Sequence, residues 1–283
     1  MNKFIEILAW IGNRIGKPPG WERVVMLFAS PERCRDMRDI CVVRDGIVFI
    51  AQPAIPLGWR VAFFGSYEPE SREIFRAVLP AGGVAVDIGA NVGWHTLLMA
   101  RLVGEGVRVL AAEANPSVRM QLDANLKLNR FRQVEVIPYA IANSEGTVAF
   151  HAPAADDPDS GNGYLVAGAT TAQGAIIQVE ARRLDDILPV ARIERLDLLK
   201  IDVEGFEWPV LQGADQTVGK YRPHIVFEYD ADYASRGGGT PALLEEYFRK
   251  HRYRLFAIGR NWAEAVEPGD WPQCADIWAV PGN

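Results

Sequence analysis

Val84-Ala85-Val86-Asp87-Ile88-Gly89-Ala90-Asn91-Val92-Gly93-Trp94 decides how the chain is read. Val84–Ile88 is a short apolar run of strand type. Gly89 and Gly93 bracket a tight turn, and a helix opens near Trp94 and continues over Thr96–Leu102. Glycine permits positive φ and lets a ligand lie against bare backbone, while a helix start offers unpaired N–H groups. The spacing is G-x-x-x-G, not the G-x-G-x-x-G of dinucleotide sites, and Asp87 stands two residues before the first glycine. A negative charge there repels a pyrophosphate and suits a ligand with a cationic amino-acid end. Asp87, Gly89, Ala90, Asn91 and Gly93 are therefore candidate ligand contacts.

Strand–helix alternation runs on from this point. Apolar runs at Val107–Ala112, Val134–Ala140, Asp197–Val203, His224–Tyr229, Arg254–Ile258 and Asp276–Val280 follow the first strand. Helical patterns at Ser117–Asn129, Trp208–Gln212 and Pro241–His251 separate several of them. Continuous apolar strands between helices predict a mainly parallel sheet covered on both faces. The fold class is α/β, doubly wound and Rossmann-like, with seven strands. Upstream, residues 1–38 read as helical with a break at Lys17-Pro18-Pro19-Gly20. Residues 40–64 read as β-rich, with a hairpin of Ile40–Arg44, Asp45-Gly46 and Ile47–Ala51, and Pro69–Leu79 reads as a helix. Residues 1–64 thus form a helical and β-hairpin extension, and 65–283 the ligand-binding domain. An insertion over 147–181 interrupts the alternation, with strands at Thr147–His151 and Ala175–Ala181. Between them Ala154–Gly174, rich in Gly, Asp, Ala and Thr, reads as a mobile flap near the substrate.

The bulk numbers narrow the function classes. A chain of 283 residues, 49% hydrophobic, is long enough for one large α/β domain with an appendage. A net charge of −6 argues against a broad nucleic-acid-binding surface. Three cysteines without a CxxC pair argue against a disulfide framework or a cysteine zinc site, and fit a reducing, cytoplasmic compartment. Met1–Ile15 is apolar but carries Lys3, Glu6 and Arg14, so it is too short and too charged to span a bilayer. It reads as an amphipathic helix that packs on the domain, supports a homodimer, or lies on a membrane surface.

Three further groups bear on chemistry. Glu113 ends the second strand twenty residues after Gly93, where an acid can grip both hydroxyls of a ribose; its other reading is a helix N-terminal carboxylate ahead of Pro116. Ala140 and Ile141, at the end of the third strand, border the expected place of an adenine. In Leu198-Leu199-Lys200-Ile201-Asp202-Val203-Glu204-Gly205 the charges alternate, so in a strand they point to one side. Burying three charges is costly unless they pair or serve a site. Glu228 ends the fifth strand and points to the same edge.

Val84–Gly93, Glu113, Ala140–Gly146, Leu198–Gly213 and Pro223–Glu228 together resemble the FkbM family of S-adenosylmethionine-dependent methyltransferases. Leu199–Glu207 followed by Val210-Leu211-Gln212-Gly213-Ala214 is the most family-specific piece. Gly65-Ser66-Tyr67-Glu68-Pro69 resembles the segment ahead of the glycine turn in that family, which adds Tyr67 and Glu68 to the cofactor contacts. Asn143 departs from the pattern, where an Asp is expected. The resemblance spans roughly residues 60–230. It implies the class I methyltransferase fold, S-adenosylmethionine as donor, and methylation of a hydroxyl on a small molecule, often a sugar or natural-product scaffold. An alcohol is a poor nucleophile, so a base near its proton helps. Asp202 and Glu204 are the candidates, with Lys200 orienting a carboxylate or the acceptor oxygen, His95 as rival base, and Asp202 also near the donor. Asp202, Glu204 and Glu228 could supply oxygen ligands to Mg²⁺ or Ca²⁺, but no dense ligand string assigns them to a metal. Two other readings are a nicotinamide-dependent oxidoreductase, which the glycine spacing disfavours, and an inactive cofactor-binding scaffold, which the intact acids disfavour.

Overall fold

The computed structural model describes residues 2–14, 19–152, 163–166, 175–259 and 262–282. In chain order these form α1 (Asn2–Arg14), α2 (Trp21–Ala29), β1 (Ile40–Arg44), β2 (Ile47–Ala51), α3 (Pro56–Phe64), α4 (Pro69–Val78), β3 (Ala85–Ile88), α5 (Trp94–Val103), β4 (Val109–Ala112), α6 (Pro116–Asn129), β5 (Val134–Ile137) and β6 (Ala140–Ile141). Then come β7 (Gly146–Ala152), β8 (Tyr164–Leu165), β9 (Ala175–Arg182), α7 (Leu184–Val190), β10 (Leu198–Ile201), α8 (Glu207–Gly213), α9 (Asp215–Tyr221), β11 (His224–Asp230), α10 (Pro241–Lys250), β12 (Tyr253–Gly259), β13 (Trp262–Ala265) and β14 (Cys274–Pro281).

The central sheet runs β13-β12-β14-β11-β10-β3-β4-β5. Pairing is parallel from β5 through β11 and antiparallel where β14 inserts between β11 and β12. All seven expected strands join it. The eighth, β13, adds an edge hairpin on β12; its side chains are mostly exposed, so no apolar run announces it. Alternate residues face opposite layers. Val86, Ile88, Leu199 and Ile201 pack with α7–α10, while Ala85, Leu198 and Val226 pack with α5, α6 and the N-terminal helices. Period two then sends Asp87, Lys200 and Glu228 to this second face.

Three boundaries differ from the sequence reading. The third strand stops at Ile137, because Pro138 cannot continue a ladder. Ala140–Ile141 instead joins a four-stranded sheet, β6-β9-β7-β8, formed by the insertion. The fourth strand stops at Ile201, because Glu204 and Gly205 take positive φ (+56° and +96°) in a turn. Residues 56–64, read as part of a β-rich stretch, form α3; Pro56 starts the helix, and Trp59, Val61, Ala62 and Phe63 are buried. Most of the flap, 154–162 and 167–174, lies outside the described residues, and so does its expected mobility.

The extension is stitched to the glycine turn. Asn125 of α6 accepts from Ile50 N (3.0 Å) and donates to Val92 O (2.9 Å). Asn129 accepts from Val48 N (2.7 Å) and donates to Val48 O (2.6 Å), as a neighbouring strand would. Ile5, Trp21, Phe49 and Phe63 share one core with Trp94, Leu97 and Leu122.

Candidate active site

Parallel strands that end together leave a crevice at their carboxyl ends. Here it is a cavity of about 440 Å³. Its walls include Gly89, Ala90 and Asn91 of the turn, Glu113 beyond β4, and Ala140 and Ile141 of β6. Lys200, Asp202, Glu204 and Glu228 line it from β10 and β11, and Tyr67, Glu68 and His95 from the α4 and α5 side. Of the expected site residues, Asp87 and Gly93 stand off this wall.

Each has a physical reason to be where it is. Gly89 has φ +77°, and a Cβ there would lie 1.8 Å from the Asp202 carbonyl, so only glycine fits. Gly93 has φ +93° and is pressed by Leu122. Asp87 is fully buried beneath the turn: Oδ2 accepts from Thr96 Oγ1 at 2.5 Å, and Oδ1 lies 3.7 Å from Lys200 Nζ without a hydrogen-bond donor. It supports the turn and the lysine from below.

Glu113 Oε2 accepts from Asn91 N (2.9 Å) and Oε1 from Asn115 N (2.8 Å). Both carboxylate oxygens are therefore fixed while keeping lone pairs for a ligand. Burial pushes Glu113 up to about 7 despite these two bonds, which favour the charged form.

Lys200 and Asp87 are register partners on adjacent strands. Lys200 Nζ donates to Asp202 Oδ2 at 3.0 Å. Burial alone would lower Lys200, but Asp202, Asp87 and Glu68 together raise it, so it stays charged. Lys200 alone of the expected alternating trio sits in the strand, yet the turn after β10 still brings Asp202 and Glu204 to the same edge. Glu207 fixes that turn by accepting from Val203 N and Gly205 N.

The acids here outnumber the lysine. One oxygen each of Asp202, Glu204 and Glu228 lies within 4.8 Å of the others. Burial, then the charges of Asp202 and Glu204, push Glu228 up to about 10. Asp276, the register partner of Glu228, is raised to about 7 by burial and accepts from Ser71 Oγ. Burial and Asp202 raise Glu68 to about 7. His95 is held down to about 3, first by burial and then by Lys200, so it is neutral and donates from Nε2 to Glu68 at 2.9 Å. His95 Nδ1 is buried without a partner. As a base, His95 would take the proton at Nδ1, with Nε2 kept on Glu68, so burial and not that bond is what opposes its charging.

Sequence reasoning missed part of the wall. Phe49, Gln52, Ile55, Pro56, Leu57 and Gly58, all from the extension, line the cavity, as do Phe150, Tyr164 and Tyr233. No local pattern marks these residues. Asn143, the departure from the family pattern, stands off the wall and donates to Gln212 Oε1 at 3.0 Å. Trp94, where the helix opens after the glycine turn, is a core residue with Arg72 stacked on its ring.

The pattern of the methyltransferase FkbM domain matches residues 87–255. The chain belongs to the FkbM methyltransferase family. Among its relatives, it is 30% identical to methyltransferase sdnD of Sordaria araneosa over 60% of this chain and 78% of that one. It is 29% identical to 2-O-methyltransferase NoeI of Sinorhizobium fredii over 56% of this chain and 68% of that one. It is also 29% identical to AMB antimetabolite synthetase AmbE of Pseudomonas aeruginosa over 77% of this chain, but spans only 13% of that much longer protein. The crystal structure of methyltransferase FkbM from Methylobacillus flagellatus superposes with a TM-score of 0.46 at 14% identity, over 78% of this chain and 52% of that one.

Proposed function

We propose that this FkbM-family chain transfers the methyl group of S-adenosylmethionine to a hydroxyl of a small-molecule acceptor, a sugar or a glycosylated or natural-product scaffold. The observation that carries the reading is one cavity walled by the glycine turn, Glu113 and the Asp202–Glu228 carboxylates together. The donor set suits the cofactor. Glu113 would hold ribose hydroxyls, Ala140 and Ile141 would flank the adenine, and the acidic edge suits a cationic sulfonium and ammonium. When bound, the cofactor supplies a methyl group already activated for displacement. The chain's task is then alignment and proton removal. Lys200 holds Asp202 in place, and Asp202 or Glu204 accepts the proton of the acceptor hydroxyl. The NoeI likeness supports O-methylation, since that relative is named a 2-O-methyltransferase.

Calorimetry with S-adenosylmethionine and with NAD, followed by transfer of labelled methyl onto candidate alcohols, tests this. Binding of the first ligand only, with transfer, is expected. Binding of NAD in preference would return the site to hydride chemistry, and binding without transfer to any acceptor would favour a scaffold.

The carboxylate geometry favours a second reading of the proton-removal step. Asp202, Glu204 and Glu228 would hold Mg²⁺ or Ca²⁺, which supplies Lewis acidity to an acceptor oxygen. Turnover that falls with EDTA and returns with Mg²⁺ is the expected sign; turnover indifferent to EDTA removes the metal and leaves the carboxylate base.

A further inference from the structure

Helices α1 and α2 carry large apolar side chains on their outer faces. Phe4, Ile7 and Trp10 lie along one arc of α1, and Val24, Leu27 and Phe28 along one arc of α2; all six are exposed, Trp10 by 53% and Leu27 by 59%. Phe4 and Phe28 touch edge-on with ring centroids 5.6 Å apart, so the two arcs form one patch. The opposite faces, with Ile5, Leu8, Trp21 and Val25, are buried in the core, so the helices are already seated and the exposed arcs are surplus to folding. A contiguous apolar patch of this kind marks an interaction surface.

The charge around the patch selects the occupant. Positions 1–38 hold seven basic residues and four acidic ones, in a chain whose net charge is −6. Lys3 and Arg23 are exposed. At about 100° per residue Lys3 falls on the arc between Ile7 and Trp10, and Arg23 flanks that of Val24 and Leu27. Arg33 is also exposed and donates to Leu27 O at the patch edge. Glu6 is exposed beside Trp10 on α1, so the patch carries, with this acid on its rim, the three cations Lys3, Arg23 and Arg33. An anionic lipid surface complements them, while the aromatic and aliphatic side chains enter the headgroup boundary.

We propose that the α1–α2 face docks the protein peripherally on an anionic membrane surface. Among the described residues no helix is long and apolar enough to cross a bilayer, so the attachment is surface docking only. The position has a bearing on the site. Gly12 of α1 packs against the Phe63 carbonyl of α3, Trp21 Nε1 donates to the same oxygen at 3.1 Å, and the first turn of α3 lines the cavity.

The full chain is floated with vesicles of phosphatidylcholine alone and of phosphatidylcholine mixed with phosphatidylglycerol, at low and high salt. Binding to the mixed vesicles, weakened by salt, is expected. The triple variant Ile7→Ser, Trp10→Ser, Leu27→Ser should bind at least about tenfold more weakly while keeping its S-adenosylmethionine affinity, since none of the three lines the cavity. If that variant fails to fold, Lys3→Glu with Arg23→Glu should abolish the preference for phosphatidylglycerol with the apolar arcs intact. Equal binding to both vesicle types overturns the proposal. So does wild-type protein that ignores vesicles, including the case where sedimentation reveals a dimer that the triple variant dissolves.

Discussion

Asp202 and Glu204 line the cavity, and as the proposed bases toward the acceptor their replacement should separate chemistry from binding. Asp202→Asn and Glu204→Gln should each lower turnover more than donor affinity, the more important one by about 100-fold or more in turnover. Glu113→Gln should do the reverse, because an amide cannot accept from both Asn91 N and Asn115 N; donor affinity should fall about tenfold. Calorimetry and labelled-methyl assays check both, and full rate in both acid variants would place the base elsewhere. Protonation adds a pH signature. Burial raises Glu68, Glu113, Glu207 and Asp276 each to about 7 in the folded chain, against ordinary values of 4.5 or 3.8. Between those limits the folded chain binds more protons than the unfolded one, so stability falls as pH rises. His95, lowered to about 3 from 6.5 by burial, and His224, also lowered by burial, oppose this, while Glu228, raised to about 10, adds to the four acids. The melting temperature of the ligand-free protein should therefore drop between about pH 5 and 7.5, and a rise across that window would contradict the burial of these acids. At this scale the sequence was legible where chemistry and backbone demand coincide. Gly89, Glu113 and Asp202 announced themselves by type and spacing. Asp87 was named as a contact yet lies under the turn, because burial depends on Thr96 and Lys200, which no spacing rule ties to it.

Among the elements, the strand–turn–helix at β3–α5 is the tightest joint. Gly89→Ala sets a Cβ against the Asp202 carbonyl and keeps a positive φ, so it should cost at least about 2 kcal/mol and abolish donor binding. Chemical denaturation and calorimetry read the two effects, and a variant that binds as well as the parent would show the turn to be pliable. Strand positions were legible because central parallel strands are apolar throughout, as Leu198–Ile201 and Val109–Ala112 are. Strand ends were less so. Pro138 stands in plain view inside the run Val134–Ala140 and is a better boundary signal than the apolar residues after it. The turn at Glu204 could not be seen, since a glutamate at positive φ is held there by its surroundings, including Glu207 and the Tyr233 carbonyl behind Gly205.

At the scale of the molecule, the extension completes the cavity that the main sheet opens. Its contribution was illegible because the contacts that seat it join residues 75 and 81 positions apart, Ile50 to Asn125 and Val48 to Asn129. No periodicity spans such a gap. The shared core of Ile5, Phe49, Trp94 and Leu97 also means that the two parts should melt in one transition by calorimetry, and two resolved transitions would divide them. The pairing of Asn129 with the Val48 N–H and C=O has a further consequence. β1 and β2 form a sheet of two strands, and the outer edge of β2 would otherwise offer a template to the same edge of another chain. The carboxamide of Asn129 on Val48, with that of Asn125 on Ile50, closes that template while leaving the native fold unextended. Asn129→Leu should thus yield protein that retains its secondary structure but loses colloidal stability, forming β-rich aggregates on concentration that thioflavin fluorescence and light scattering detect. A residue that seats the extension would on this reasoning also keep one molecule from joining the next.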